Sequence, residues 1–221
     1  MRRLAQPEVL KSAGVAALAT SLACYPRLAL WPQRLYPVWY MESIVFLGGI
    51  VLWAFVFAWH TEYTDRPVFT LEMEPAHFVA ATAAGIFVAT VLHLFLDPSL
   101  RPKTPEDYPA SLGQWTAMTL FNLAFTKLFL VFAPFAWLIR LFQTRLPATL
   151  LTVLFGVVVL TVKTHSSPIP FSSSLFSALL VVRVILGYLS VYFYLRGGVL
   201  LAWWWSFVVE ARYLLEPGSD R

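Results

Sequence analysis

Charged side chains inside long apolar stretches are the residues of this sequence that most need a chemical explanation. Five are present: Lys127, Arg140, Arg183, Glu210 and Arg212. A charge near the centre of a bilayer costs at least about 2.5 kcal/mol on insertion scales, so a central charge is by default a candidate functional group. Lys127 and Arg183 are the most central, and we predict that both are intramembrane charges. The alternative is a structural ion pair between helices, for example Glu210 or Glu42 with one of these cations.

Histidine and carboxylate side chains near the ends of apolar stretches form a second candidate group. His93, His165 and Glu210 are predicted to fall on the same side of a membrane, where Asp97 also lies. Imidazole nitrogens and a carboxylate can ligate zinc and leave one position open for water, so these three residues are the predicted metal ligands. Helix capping and interfacial hydrogen bonds are the alternative roles. No sequence motif identifies a cofactor.

The two other histidines, His60 and His77, are predicted on the opposite side. Glu74 and His77 have the E-x-x-H spacing that di-iron proteins use, but those proteins need two copies and further carboxylates. Only one copy is present. We therefore predict a polar rim here rather than a metal site.

Composition indicates the solvent in which these residues must be placed. The chain has 221 residues, of which 59% are hydrophobic and 13% charged, against roughly 25% charged in an average soluble domain. Its mean hydropathy is +0.69. A water-soluble domain, a disordered chain and a disulfide-stapled secreted domain are all poor fits. Cys24 is the only cysteine, which excludes an intrachain disulfide and a cysteine-based zinc cluster.

Apolar stretches of about 20 residues predict membrane-spanning helices, because a helix rises 1.5 Å per residue and the hydrocarbon layer is about 30 Å thick. Six spans are predicted: Ser43–His60, Pro75–Leu96, Tyr108–Phe142, Leu146–Val162, Ser173–Leu195 and Gly197–Leu215. The stretch Ser12–Cys24 has only 13 residues and is predicted as an interfacial or re-entrant helix, with a seventh span as the alternative. The fold class is therefore all-α: a polytopic transmembrane helical bundle of about six spans plus this short N-terminal helix.

Lys and Arg residues lie mainly between the apolar stretches, which is a membrane-protein pattern and not the footprint of a nucleic-acid partner. With six spans, ten cations fall on the inner side and four on the outer, which predicts that both chain ends are cytoplasmic. A seventh span would give seven against seven and no orientation signal. The predicted organisation is an interfacial segment over residues 1–37, the bundle over 38–215 and a tail over 216–221.

The last third of the sequence resembles a known family. Residues 184–198 are similar to the Leu-Gly-x-x-Tyr-x-Arg-x-Gly-like stretch of the CPBP family of membrane proteins, the CAAX proteases and bacteriocin-processing proteins. Residues 133–140, which end on Arg140, resemble that family's Pro-led E-E-x-x-x-R motif. His165 stands where its F-x-x-x-H motif would place the histidine. The resemblance covers roughly residues 120–215.

The departures from the family pattern bear on activity. Phe135 and Ala136 stand at the family's glutamate pair, and Thr161 at the phenylalanine of its second motif. Ser206 and Glu210 stand where its third motif has a histidine or similar polar residue, followed four positions later by Asn or Asp. A general base must accept a proton from water, and neither phenylalanine nor alanine can do so.

The resemblance thus implies a divergent member that keeps Arg140 and His165 and lacks the glutamate pair. We expect a non-catalytic integral protein of the bacterial cytoplasmic membrane, an accessory or scaffold subunit that contacts the lipid bilayer and other membrane subunits. One alternative is an intramembrane endopeptidase with a modified site on Arg140, His165 and Glu210. Another is a small transporter, or a pigment- or quinone-binding subunit, that uses Lys127 and Arg183.

Overall fold

The computed structural model describes residue 4 and residues 6–31, 35–64, 66–166 and 169–215. All the regular secondary structure in these residues is helical, which confirms the predicted all-α class. The α-helices are α1 (Pro7–Leu30), α2 (Val38–Thr64), α3 (Pro75–Val91), α4 (Asp97–Leu100), α5 (Leu112–Phe121), α6 (Ala133–Phe142), α7 (Arg145–His165) and α8 (Ser173–Glu210).

Several helices join into longer runs. A π-helical segment, Leu92–Leu96, connects α3 to α4, and the segments Asn122–Thr126 and Leu128–Phe132 connect α5 to α6. Six helices or runs among the described residues are long and apolar enough to cross a membrane: Pro7–Leu30, Val38–Thr64, Pro75–Leu100, Leu112–Phe142, Arg145–His165 and Ser173–Leu215. They indicate an integral membrane protein.

The N-terminal helix is longer than the sequence predicted. In place of a short interfacial helix over Ser12–Cys24, α1 runs through 24 residues and meets the length and hydropathy of a span. The charges that bound the uncharged stretch, Lys11 and Arg27, do not end the helix. Arg27 lies in its last turn, where a long cationic side chain can reach the headgroups.

Small residues place α1 directly against α2. Ala17 is fully buried, and its Cβ lies 3.3 Å from the position that a side chain on Gly49 would occupy. Trp53 Nε1 donates a hydrogen bond to Thr20 Oγ1 at 2.9 Å across the same interface. Close approach through small residues is typical of helix pairs in membranes.

Helix α8 is a hairpin of two arms, residues 173–196 and 199–210. Gly197 (φ −146°, ψ 21°) and Gly198 (φ 68°, ψ −160°) leave the helical region of backbone conformation. Trp205 Nε1 donates to Ser190 Oγ at 3.2 Å, although these residues would lie about 22 Å apart along a straight helix. The chain therefore reverses at the two glycines, where the sequence predicted one span to end and the next to begin.

With the two arms counted separately, the described residues make seven helical passes. An odd number of passes puts Leu4 and Leu215 at opposite ends of the bundle, because each short connection reverses the chain. The prediction of two chain ends on one side assumed that the N-terminal helix does not cross, whereas α1 is long and apolar enough to do so.

Candidate functional site

A polar cavity of about 100 Å³ lies between the Leu112–Phe142 run, α7 and both arms of α8. Three charged side chains line it: Lys127, Arg183 and Glu210. Its other polar lining residues are Asn122, Thr126, Thr152, Ser190, Trp205 and Ser206. The two intramembrane cations that the sequence singled out thus face one common cavity.

The backbone around Lys127 is not regular α-helix. Lys127 lies between the π-helical segments Asn122–Thr126 and Leu128–Phe132. Pro134 follows the second segment, and its lack of an N–H group removes the ordinary hydrogen bond to the carbonyl four residues earlier. Wide turns of this kind occur frequently at functional sites.

Ser190 connects Lys127 to the hairpin. Lys127 Nζ donates to Ser190 Oγ at 3.2 Å, and Trp205 Nε1 donates to the same oxygen at 3.2 Å. Ser190 is almost fully buried. Its hydroxyl therefore joins the Leu112–Phe142 run and both arms of α8 at one point.

Arg183 reaches across to α7 because residue 156 is glycine. Its Nε donates to the Gly156 carbonyl oxygen at 3.2 Å. A Cβ on Gly156 would lie only 3.1 Å from both Nε and Nη2 of the guanidinium, so a side chain there would require the guanidinium to shift by a few tenths of an ångström. The four remaining N–H bonds of Arg183 have no acceptor among the described residues, and the residue lines the cavity.

Glu210 lines the cavity and is hydrogen-bonded to an amide side chain. Asn122 Nδ2 donates to Glu210 Oε1 at 2.5 Å, and Trp115 Nε1 donates to the backbone oxygen of Glu210 at 3.0 Å. None of the ion pairs between described residues involves Lys127 or Arg183. Glu42, the other carboxylate considered, accepts a hydrogen bond from Ser21 Oγ at 2.6 Å. The structural ion pair that the sequence left open as the alternative is therefore not formed in the described part of the chain.

The predicted metal ligands are not brought into one site. His165 is exposed at the end of α7, where its Nδ1 lies 2.9 Å from the Thr161 carbonyl oxygen. His93 lies in the π-helical segment Leu92–Leu96, and Glu210 lines the polar cavity. Within the residues that the structure describes, no group of three or more His, Cys, Asp and Glu side chains is placed to hold a metal ion.

The predicted catalytic residues are also separated. Arg140 is exposed in the last turn of α6, next to the start of α7, whereas His165 is the last residue of α7. A helix of 21 residues is about 30 Å long, so Arg140 and His165 lie at opposite ends of the bundle. Phe135 and Ala136, which the sequence resemblance would place at a glutamate pair, are 1% and 0% exposed in the apolar core.

A buried ion pair lies beyond the cavity, near the end of the second arm of α8. Arg212 Nε donates to Asp97 Oδ2 at 3.2 Å, and Tyr108 OH donates to Asp97 Oδ1 at 2.9 Å. Burial first, and then the negative charge of Asp97, raise the pKa of the Tyr108 phenol above its ordinary value. From the sequence, Asp97 was expected near the candidate metal ligands, and Arg212 had no predicted partner. Only the opposite charges of the two residues could have suggested this pair.

His60 differs from its predicted role in a polar rim. Its side chain is 1% exposed, and its ring centroid lies 4.7 Å from that of the fully buried Tyr194. The hydroxyl of Tyr194 has no hydrogen-bond partner among the described residues. Neither ring nitrogen of His60 makes a hydrogen bond of ordinary geometry to them, although the backbone of Pro67 lies near the ring. The sequence gave no signal of this pairing, because His60 is the last apolar-stretch residue before a polar turn.

Comparisons of the chain with protein-family models, curated proteins and solved structures find no match. The resemblance to the CPBP family therefore stays a prediction from the sequence.

Proposed function

We propose that the chain is a non-catalytic integral membrane protein on a degenerate CPBP-like fold, an accessory or scaffold subunit of a larger assembly in the bacterial cytoplasmic membrane. The packing of Phe135 and Ala136 carries this proposal. Peptide hydrolysis on this fold needs a proton acceptor beside water, and both positions are occupied by apolar side chains in a closed core.

The positions of the remaining family residues agree with this proposal. Arg140 in α6 and His165 in α7, the two residues that the chain keeps, lie at opposite ends of the bundle and cannot act on one substrate bond. Glu210, the third residue of the modified site, accepts a hydrogen bond from Asn122.

Purification from the native host in a mild neutral detergent tests the accessory role. We expect the chain to elute in a particle larger than its own 25.0 kDa plus micelle, with one or more membrane proteins in fixed stoichiometry. A harsher detergent should release the chain alone, which serves as the control. A chain that elutes alone in the mild detergent would contradict the accessory role.

The endopeptidase alternative has a separate test. If the chain is a peptidase, it should either bind zinc or cleave a prenylated peptide. Both His165→Ala and Glu210→Gln should then abolish the cleavage. We expect no zinc in stoichiometric amount and no difference in cleavage between these variants and the unaltered chain.

A second candidate function, a small transporter or a pigment- or quinone-binding subunit, is favoured by the polar cavity. A scaffold has no need of two cations at membrane depth, and such charges are costly unless they serve a pathway or a ligand. An absorption spectrum of the purified protein and an organic extract test the pigment and quinone forms of this candidate. A protein that is colourless and yields no quinone would leave only transport or the binding of a colourless ligand.

The sides of the membrane on which the two chain ends lie are also part of the proposed function. Two cytoplasmic chain ends hold only if α1 does not cross the membrane, whereas seven crossings leave the ends on opposite sides. Reporter fusions after residue 6 and after residue 215 distinguish the two arrangements. We expect opposite sides, and equal cytoplasmic signals from both fusions would contradict a crossing α1.

A further inference from the structure

We propose that the cavity between Lys127 and Arg183 binds an oxyanion, the carboxylate or phosphate of a small molecule or of a membrane lipid. This proposal goes beyond the accessory role. It rests on the second candidate function, transport or ligand binding, and gives that function a class of ligand. An assembly subunit that binds no anion would leave the accessory role intact, so the two proposals fail separately.

The charged side chains of the cavity do not balance. Lys127 and Arg183 contribute two positive charges, and Glu210 contributes one negative charge. The cavity therefore has a formal surplus of one positive charge in a region of low dielectric constant. One bound monoanionic group would cancel that surplus, and attraction between charges is stronger there than in water.

Both cationic side chains keep hydrogen-bond donors that no described residue uses. Lys127 uses one donor on Ser190, and Arg183 uses one on Gly156, within the described part of the chain. Both residues line the cavity, and their other N–H groups have no acceptor among the described residues. Guanidinium and ammonium donors form strong, charge-assisted hydrogen bonds to carboxylate and phosphate oxygens.

The buried pair of Arg212 and Asp97 provides an internal comparison. There the guanidinium has its carboxylate at 3.2 Å, and Tyr108 occupies the second carboxylate oxygen. Where a buried cation has a structural role, the chain thus supplies its carboxylate partner from its own residues. It does not do so for Lys127 or Arg183 within the described residues.

The size of the cavity limits the ligand. Its volume of about 100 Å³ is smaller than the roughly 150 Å³ of an engineered cavity that binds benzene. A carboxylate or phosphate group fits, but a whole lipid headgroup or a nucleotide does not. An amphiphile would place only its acidic group inside and leave its apolar chain along the bundle.

Thermal unfolding of the full chain in a neutral maltoside detergent tests the proposal. The probes are sodium acetate and sodium phosphate as free anions, decanoate and decyl phosphate as amphiphiles, and decanol as the uncharged control. We expect a saturable rise in the unfolding temperature with at least one anion and none with decanol. Response to acetate or phosphate assigns a free anion, and response to the amphiphiles alone assigns a lipid.

Four variants connect the response to the cavity. Lys127→Met and Arg183→Met should weaken binding about tenfold or more, because each removes a charged donor. Arg145→Met removes an exposed cation at the start of α7 and should change binding less than about twofold. Glu210→Gln keeps an oxygen for Asn122 but removes the negative charge, so it should tighten binding about threefold or more.

The Glu210→Gln result decides the test even if Lys127→Met or Arg183→Met fails to fold, because misfolding cannot increase affinity. Tighter binding by this variant supports the proposal. The proposal is overturned if no anion raises the unfolding temperature, if folded Lys127→Met and Arg183→Met bind as the unaltered chain does, or if Glu210→Gln binds equally or more weakly.

Discussion

Replacing Gly198 by alanine should strongly destabilise the α8 hairpin. Its φ of 68° with ψ of −160° lies in a backbone region that is essentially restricted to glycine, and a side chain there costs about 1–3 kcal/mol. A Cβ would also lie 2.8 Å from the Val68 carbonyl oxygen, a backbone atom that cannot move without the loop. That oxygen accepts from Val199 N–H at 3.1 Å, and losing this bond costs about 1 kcal/mol. We therefore expect Gly198→Ala to lower the free energy of unfolding by about 3 kcal/mol.

Unfolding by sodium dodecyl sulfate in mixed micelles, followed by circular dichroism, measures this change. Gly48→Ala on α2 is the matched control, because a Cβ there meets nothing within 4 Å. Its backbone is helical, so the control should be stabilised by roughly 0.5–1 kcal/mol. The two substitutions are chemically identical and should act in opposite directions. If Gly198→Ala is as stable as the unaltered chain, the reversal at Gly197 and Gly198 is not the structure in the membrane.

Three further predictions concern the buried polar groups. Arg212→Ala should cost about 3–5 kcal/mol in the same unfolding assay, because it leaves Asp97 buried without its cation. Adding Asp97→Asn should recover part of that loss. If nothing is recovered, loss of the ion pair is not the cause of the destabilisation. The folded-state pKa of Tyr108 is raised above the ordinary value of about 10. The contribution of Tyr108 to the free energy of unfolding is therefore complete below about pH 10 and is lost as the pH rises above it. Tyr108→Phe should therefore lose less stability than the unaltered chain between about pH 9.5 and 11, and parallel pH curves would refute this assignment. His60→Phe should stay within about 1 kcal/mol of the unaltered chain, because the ring still packs on Tyr194 and no hydrogen bond of ordinary geometry to a described residue is lost. His60→Ala should cost about 2–4 kcal/mol, because the ring contact is removed. Equal losses of stability in the two variants would contradict this.

Helix positions were predictable from the sequence where hydropathy alone decides them. The predicted span Leu146–Val162 lies within α7, and the predicted break between Leu195 and Gly197 coincides with the hairpin. The length of α1 was not predictable from uncharged residues alone. Lys11 and Arg27 interrupt the apolar stretch in composition, but long cationic side chains near a helix end do not interrupt the helix.

The candidate site was predictable only in part. The cost of a charge at membrane depth identified Lys127 and Arg183, and both line the cavity. Their arrangement depends on features without a sequence signature, namely the π-helical turns beside Lys127 and the space above Gly156. Shared depth suggested that His165 would meet Glu210, but depth does not fix which face of a helix a residue occupies.

The reversal of α8 is the central claim, because it places Trp205 and Glu210 beside the first arm and so builds the cavity. The most direct test is the distance between spin labels at residues 177 and 214, both exposed, in a Cys24→Ala background. A hairpin with arms 8–10 Å apart predicts a separation under about 30 Å between the labels. A continuous helix through the same residues would give about 55 Å and would contradict the account.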